Sequence, residues 1–378
     1  MKIGIDTFSV DSGRTAVGGY LKQILKRIKP SSYAQYELFG WDFDRFNFTE
    51  TAPDIDFISR CRVNGRTANA LWHIVSYPRF AIGRSYDTCF FPAANRRVPA
   101  ESPCPSVGTV HDMATFWGSR KTRVHLGAVG RVVFPSSLRH LDRVIAVSDF
   151  VKDELIKLAG VKENRIEVIP NGIDKELFYP RPRNNEETVL IQPFSFRRPY
   201  ILYVSRIDYP VKNHIKLIEA FCIFRDKTKL PHRLVLAGGD SHGADLVKEA
   251  AQNCKYGQDI FFTGHFPQES LPELYAGAHF SVMPSLYEGF GQAVLESMAC
   301  GIPVVCARAA SLPETAEHCA LYFDPQSAED MADRMINMVS SKAVYNECRE
   351  KGLEQVKAFS WDTCAEKTLK LLQETAAK

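Results

Sequence analysis

Short apolar runs alternate with longer amphipathic stretches along the whole chain. In the first half the runs are Lys2–Asp6, 36–40, Thr88–Phe91, Ser106–Val110, 143–147 and 166–169. In the second they are Tyr200–Val204, Arg233–Ala237, 260–263, Phe280–Met283 and 303–306. β-Branched and aromatic residues dominate each run, and Gly, Pro, Asp or Ser usually bounds it, so each reads as a strand. Strands that alternate with helices predict α/β architecture, with parallel sheets covered on both faces.

The alternation breaks once. Residues 177–199 contain Tyr179-Pro180-Arg181-Pro182-Arg183-Asn184-Asn185-Glu186-Glu187, a polar, proline-punctuated and aperiodic stretch that reads as a linker. The expectation is two Rossmann-like, doubly wound domains facing each other across a cleft, residues 1–180 and 190–361. A terminal helix, 362–378, begins after Ser360 as N-cap. It either ends the chain or crosses back onto the first domain.

Length supports the division, because 378 residues exceed what one core usually holds. A formal charge of +3 is too small to imply a nucleic-acid partner. The ten cysteines form no CxxC pair and lie in core-like segments, which argues against a disulfide framework and a zinc site and suits a reducing cytoplasm. The N-terminus reads as a core strand rather than a signal peptide, and no apolar run approaches a membrane span. Membrane contact would therefore be peripheral.

The densest chemistry lies in 283–303. A strand ends near Met283, and a loop with Glu288-Gly289-Phe290-Gly291 follows. A helix then runs from about Gln292 to Cys300, with Gly301 as its stop. Two glycines at a helix N-terminus let backbone amides approach an anion or a row of hydroxyls. Glu288 sits at a strand's carboxyl end, where open α/β sheets bind ligands. Glu296, one turn or so into the helix, suits ribose hydroxyls because a carboxylate accepts two hydrogen bonds. A plain strand–loop–helix with a capping acid is the bland alternative; two carboxylates flanking Gly-Phe-Gly disfavour it.

This stretch resembles the Glu-x7-Glu signature of retaining glycosyltransferases with the GT-B fold, in particular family 4. Tyr203-Val204-Ser205-Arg206-Ile207, with Lys212-Asn213, resembles that family's phosphate-binding Arg/Lys pair. Residues 168–174, 144–148 and 109–112 resemble further landmarks in the family's order, while 41–85 resemble it least. The resemblance implies a retaining, metal-independent glycosyltransferase without cofactor. Its partners would be a UDP- or GDP-sugar donor and a glycan or lipid-linked glycan acceptor.

The chemistry can also be argued from charge. Departure of a nucleoside diphosphate builds negative charge on the β-phosphate, and preorganised cations stabilise it. Arg206 and Lys212 supply a planar fork and a compact charge from one loop, against the bland reading of two solvated surface cations. No convincing Asp-x-Asp metal pair exists; Asp54-Ile55-Asp56 lies where the resemblance is weakest. His111, after the strand Ser106–Val110, is either a structural histidine or, as the resemblance implies, a contact to the donor sugar. Asp112 either orients it or caps the next helix. The resemblance also places Gly18 and Gly19 beside donor phosphate and acceptor, and Gly264, His265 and Phe266 beside the base. Gly18-Gly19 does not make a nicotinamide fingerprint, because the GxGxxG spacing is absent. Residues 119–140 mix Arg120, Lys121, Arg123, Arg131 and Arg139 with apolar residues; a solvated helix and a peripheral contact to the inner face of a membrane both fit.

The expected catalytic residues are thus His111, Arg206, Lys212 and Glu288. Gly18, Gly19, Gly264, His265, Phe266, Gly289, Phe290, Gly291 and Glu296 are expected to bind substrate. The function expected is transfer of a hexose, mannose or glucose type, in surface polysaccharide synthesis. A nucleotide-sugar 2-epimerase of the same fold and a non-catalytic sugar-nucleotide binder are the alternatives.

Overall fold

The computed structural model describes residues 1–8, 10, 15–29, 33–60, 72–116, 128–182, 188–191 and 194–377. The chain divides into two compact units, 1–172 with 360–378, and 173–359.

The first unit holds a seven-stranded sheet in the order β3-β2-β1-β4-β5-β6-β7. Its strands are β1 Lys2–Asp6, β2 Gln35–Trp41, β3 Asp56–Arg60, β4 Thr88–Phe91, β5 Ser106–Val110, β6 Arg143–Ala146 and β7 Ile166–Val168. Every pairing is parallel. The central strands β4 and β5 are buried throughout, as expected of strands covered on both faces.

The second unit repeats the plan. After a small antiparallel hairpin, β8 Thr188–Ile191 and β9 Phe194–Arg197, come β10 Tyr200–Val204, β11 Arg233–Ala237, β12 Ile260–Phe262, β13 Phe280–Met283, β14 Val304–Ala307 and β15 Ala320–Phe323. They form a parallel sheet in the order β12-β11-β10-β13-β14-β15. Counted within each unit, both sheets contain the order 3-2-1-4-5-6 of a dinucleotide-binding fold, to which the first adds β7 at its edge. Chain direction across the sheet reverses beside the first strand, which opens a crevice at the carboxyl ends there. In the second unit that switch point lies between β10 and β13.

The final helix, Trp361–Ala376, belongs to the first unit. Ser360 caps it, its Oγ accepting from the amides of Asp362 and Thr363. Trp361 and Leu372 join the core containing Ile5, Tyr20 and Val107. Arg27 Nε donates to Asp362 at 2.6 Å. Where the chain leaves the first unit, Gly172 lies so close to the returning segment that a Cβ would meet the Trp361 nitrogen at 2.2 Å. The division therefore falls after Gly172, ahead of 177–199, and that stretch contains β8 and β9 within the second unit.

One cysteine pair stands apart from the rest. Cys222, in the helix His214–Thr228, and Cys254, just past the helix Ala244–Asn253, are joined as a disulfide. Their separation of 32 residues follows no motif; the two helices bring them together. No helix of the described residues is long and apolar enough to cross a membrane. Of the basic stretch 119–140, residues 119–127 lie outside the described ones. The remainder is the helix Ala128–His140, with Pro135 inside it.

Candidate functional site

The switch point of the second unit collects the charged candidates. β10 ends at Val204 and leads into Ser205 and Arg206. Lys212 follows a turn closed by its own amide on the Asp208 carbonyl at 2.8 Å. β13 ends at Met283 and leads into Pro284, Ser285 and Glu288. The two loops are tied together: the Leu286 amide donates to the Val211 carbonyl at 2.9 Å, and the Asn213 side-chain amide donates to the Pro284 carbonyl at 3.0 Å. Asn213 adopts the left-handed conformation that asparagine tolerates.

Lys212 Nζ lies 2.6 Å from Glu288 Oε1, and the Ser285 hydroxyl donates to the same oxygen at 2.7 Å. Both charged side chains remain partly exposed, at 17% and 23%. Ser311 Oγ holds the Glu288 carbonyl at 2.9 Å. Arg206 is exposed, and its guanidinium makes no ion pair among the described residues. One carboxylate and two cations thus stand at the mouth of the sheet.

The glycine loop behaves as its sequence suggests at Gly291. That residue has φ +91 and starts the helix Gln292–Ala299, which no side chain caps. Phe290 is buried against Phe359, ring centroids 5.8 Å apart, and the Thr315 hydroxyl holds its carbonyl. Gly289 leads into this turn. Glu296 differs from expectation: it is buried, and Oε2 accepts from Tyr275 OH at 3.1 Å. Burial pushes its carboxyl up to about 7, against the opposing pull of the Tyr275 hydrogen bond.

That shift has a defined sign. The folded protein holds the Glu296 proton more tightly than the unfolded chain, so stability falls as pH rises from about 4.5 to 7 and levels off above. Glu296→Gln keeps an acceptor for Tyr275 and removes the charge. Its unfolding free energy in urea, relative to the parent, is expected to improve from pH 5 to pH 8 by on the order of 2 kcal/mol. An unchanged difference across that range would contradict the assignment.

The neighbouring loops close the same edge. Ser205 N donates to the Ala237 carbonyl and Ile207 N to that of Gly239, at 2.9 and 3.0 Å. Gly238 bridges to Gly264, whose φ of +66 faces open space. His265 is exposed. The Phe266 ring is buried and stacks on Phe194 of the hairpin at 5.7 Å, leaving its backbone as the part a ligand would meet.

Three candidates belong to the first unit. His111 follows β5, half-buried, and its Nε2 donates to the Pro92 carbonyl at 2.8 Å. Burial lowers its pKa to about 4. The imidazole is therefore neutral at pH 7, with Nδ1 as a hydrogen-bond acceptor. Asp112 does not orient it: its carboxylate accepts from Ala114 N at 3.1 Å and Asn95 Nδ2 at 3.2 Å. Gly18 and Gly19 lie in the first turn of the helix Ala16–Leu25. The Gly19 amide donates to the Thr15 carbonyl at 2.8 Å, Gly18 is buried, and residues 11–14 ahead of the helix lie outside the described ones. Sequence reading also missed Asp6, which is buried with His73 Nε2 at 2.7 Å.

Two family models match the chain. "Glycosyl transferases group 1" covers residues 187–355 and "Glycosyltransferase Family 4" covers 51–177. The two matches, in order along the chain, support a family-4-like glycosyltransferase. An O-antigen chain mannosyltransferase B of Escherichia coli is 30% identical over 235 residues, 62% of this chain and 61% of that protein. A mannosylfructose-phosphate synthase of Agrobacterium fabrum is 26% identical, over 62% of this chain and 53% of its own length. The chain thus spans between half and two thirds of these relatives. Among solved structures, sucrose-phosphate synthase from Thermosynechococcus elongatus superposes with TM-score 0.79 at 19% identity, covering 100% of this chain and 99% of that one. Anabaena HepE in complex with UDP-glucose gives 0.73 at 20%, covering 99% and 100%. Together these establish the GT-B fold, two Rossmann-like parallel-sheet domains.

Proposed function

We propose that the chain is a retaining, metal-independent hexosyltransferase. It takes a sugar of the mannose or glucose type from a UDP- or GDP-sugar and passes it to a glycan or lipid-linked glycan acceptor in surface polysaccharide synthesis. The observation that carries this reading is the Lys212–Glu288 pair at the switch point of the second sheet, with Arg206 on the same loop as Lys212. The cations suit the diphosphate that departs, and the carboxylate suits hydroxyls of the sugar. The Gly264–Phe266 backbone would serve the base, and His111, as a neutral acceptor, a sugar hydroxyl; Glu296, buried under Tyr275, is left out of the donor contacts. Two relatives' names support a mannosyl or related transfer, and HepE, of the same fold, was solved with UDP-glucose.

In the step proposed, the bond from the anomeric carbon to the β-phosphate oxygen breaks. The acceptor oxygen bonds to that carbon on the same face, and its proton passes to the departing phosphate. Arg206 and Lys212 hold the charge that develops.

A donor screen by thermal melting tests the reading. One UDP- or GDP-sugar, and its parent nucleoside diphosphate, is expected to raise Tm; at a hundred times Kd the gain is about 2.7 kcal/mol. No rise with any nucleotide-sugar at millimolar concentration would contradict it.

A further inference from the structure

Glu288 is held in an asymmetric way. Its Oε1 takes both protein donors, Lys212 Nζ at 2.6 Å and Ser285 Oγ at 2.7 Å, and no described residue donates to Oε2. Ser285 is fully buried, and its hydroxyl also lies 2.8 Å from Tyr203 OH. Tyr203, fully buried near the end of β10, reaches the Lys212 carbonyl at 3.0 Å as well.

Proton counting orders this cluster. A carboxylate and a carbonyl only accept, so Ser285 gives its single proton to Glu288. Tyr203 then shares its own between Ser285 Oγ and the Lys212 carbonyl. Burial first, and then the nearby Glu288 charge, raise the phenol's pKa, so Tyr203 stays a donor. The chain of hydroxyls therefore runs one way, toward Glu288, and joins the loop after β10 to the loop after β13.

A bound diphosphate competes with Glu288 for Lys212. Once the ammonium turns to the phosphate, Ser285 is the remaining protein donor on Oε1. We propose that Ser285, braced by Tyr203, is a positioning residue that keeps Oε1 tied and Oε2 aimed at the sugar while Lys212 serves the leaving group. This rests on the function proposed above; what it adds is which residues aim the carboxylate and which of its oxygens acts.

Ser285→Ala and Tyr203→Phe, each alone and combined with Glu288→Ala, test this with the nucleotide-sugar that gives the largest thermal shift. Losing a hydrogen bond to a charged group is expected to lower kcat roughly 10- to 100-fold in Ser285→Ala. Tyr203→Phe is expected to lose less. The Kd for the sugar-free nucleoside diphosphate stays within about twofold in both, because the nucleotide does not need Oε2. In the Glu288→Ala background neither change costs more than about twofold, the mark of residues acting through that carboxylate. Full multiplication of the losses, a parallel loss of nucleoside diphosphate affinity, or a Ser285→Ala enzyme as active as the parent overturns the proposal. Should Ser285→Ala fail to fold, the volume-conserving Tyr203→Phe carries the same cycle. A parent protein that turns over no donor removes the functional reading, and this inference with it; a working parent with an unaffected Tyr203→Phe and Ser285→Ala sinks the inference alone.

Discussion

Lys212→Ala is expected to slow release of nucleoside diphosphate from the donor by roughly a hundredfold or more, as loss of one preorganised charge donor does. Two losses combine. The ammonium placed 2.6 Å from Glu288 is the partly buried cation of the site, whereas Arg206 is exposed and so more strongly screened by water. Its removal withdraws stabilisation from the leaving phosphate. It also leaves Glu288 without its counter-charge, held by Ser285 alone. Arg206→Ala is expected to cost less for the same reason of screening. Single-turnover release of nucleoside diphosphate at saturating donor separates this from weaker binding; a Lys212→Ala rate within threefold of the parent would contradict the assignment.

Gly238→Ala has the largest effect expected on stability. Gly238 closes β11 at φ +154, and a Cβ there would lie 1.9 Å from the Ser205 carbonyl oxygen and 3.0 Å from the Arg206 nitrogen. Those atoms are backbone, fixed by the bonds from Ser205 N to Ala237 and from Ile207 N to Gly239, so no side chain can give way. A loss of about 2–5 kcal/mol in urea unfolding is expected, from overpacking and strain together. The loop carrying Arg206 would be displaced with it. Gly264→Ala is the matched control: it too has positive φ, but open space surrounds it, so only the left-handed penalty of about 1–2 kcal/mol applies. Equal losses at the two sites would show that crowding at Gly238 is not decisive.

The strands that carry the site were legible because parallel strands covered on both faces are apolar from end to end. Phe280–Met283 and Tyr200–Val204 stand out for that reason, and with them the positions of Glu288 and Arg206. The strands missed are those this logic does not reach. β3 and β15 lie at sheet edges and are only partly buried, and β8–β9 is a hairpin of four-residue strands in a polar stretch, with Leu190 exposed. Glu288 was legible as a residue but not as a held carboxylate. Ser285 lies three positions away, Tyr203 another 82 residues from Ser285, and no local spacing reports that they meet. Glu296 was read as open to a ribose because helix phase gives direction, not depth. The cover comes from Tyr275, on the helix Leu271–Gly277, through a tertiary contact.

The most direct test of the central claim is release of nucleoside diphosphate from UDP- and GDP-sugars in the presence of a lipid extract containing acceptors. The account predicts that one donor releases its nucleoside diphosphate in step with transfer of its sugar to an acceptor, that the new linkage keeps the donor's anomeric configuration, and that Lys212→Ala suppresses both events. Binding of the same donor with no release in any extract, or a product of inverted configuration, would contradict it.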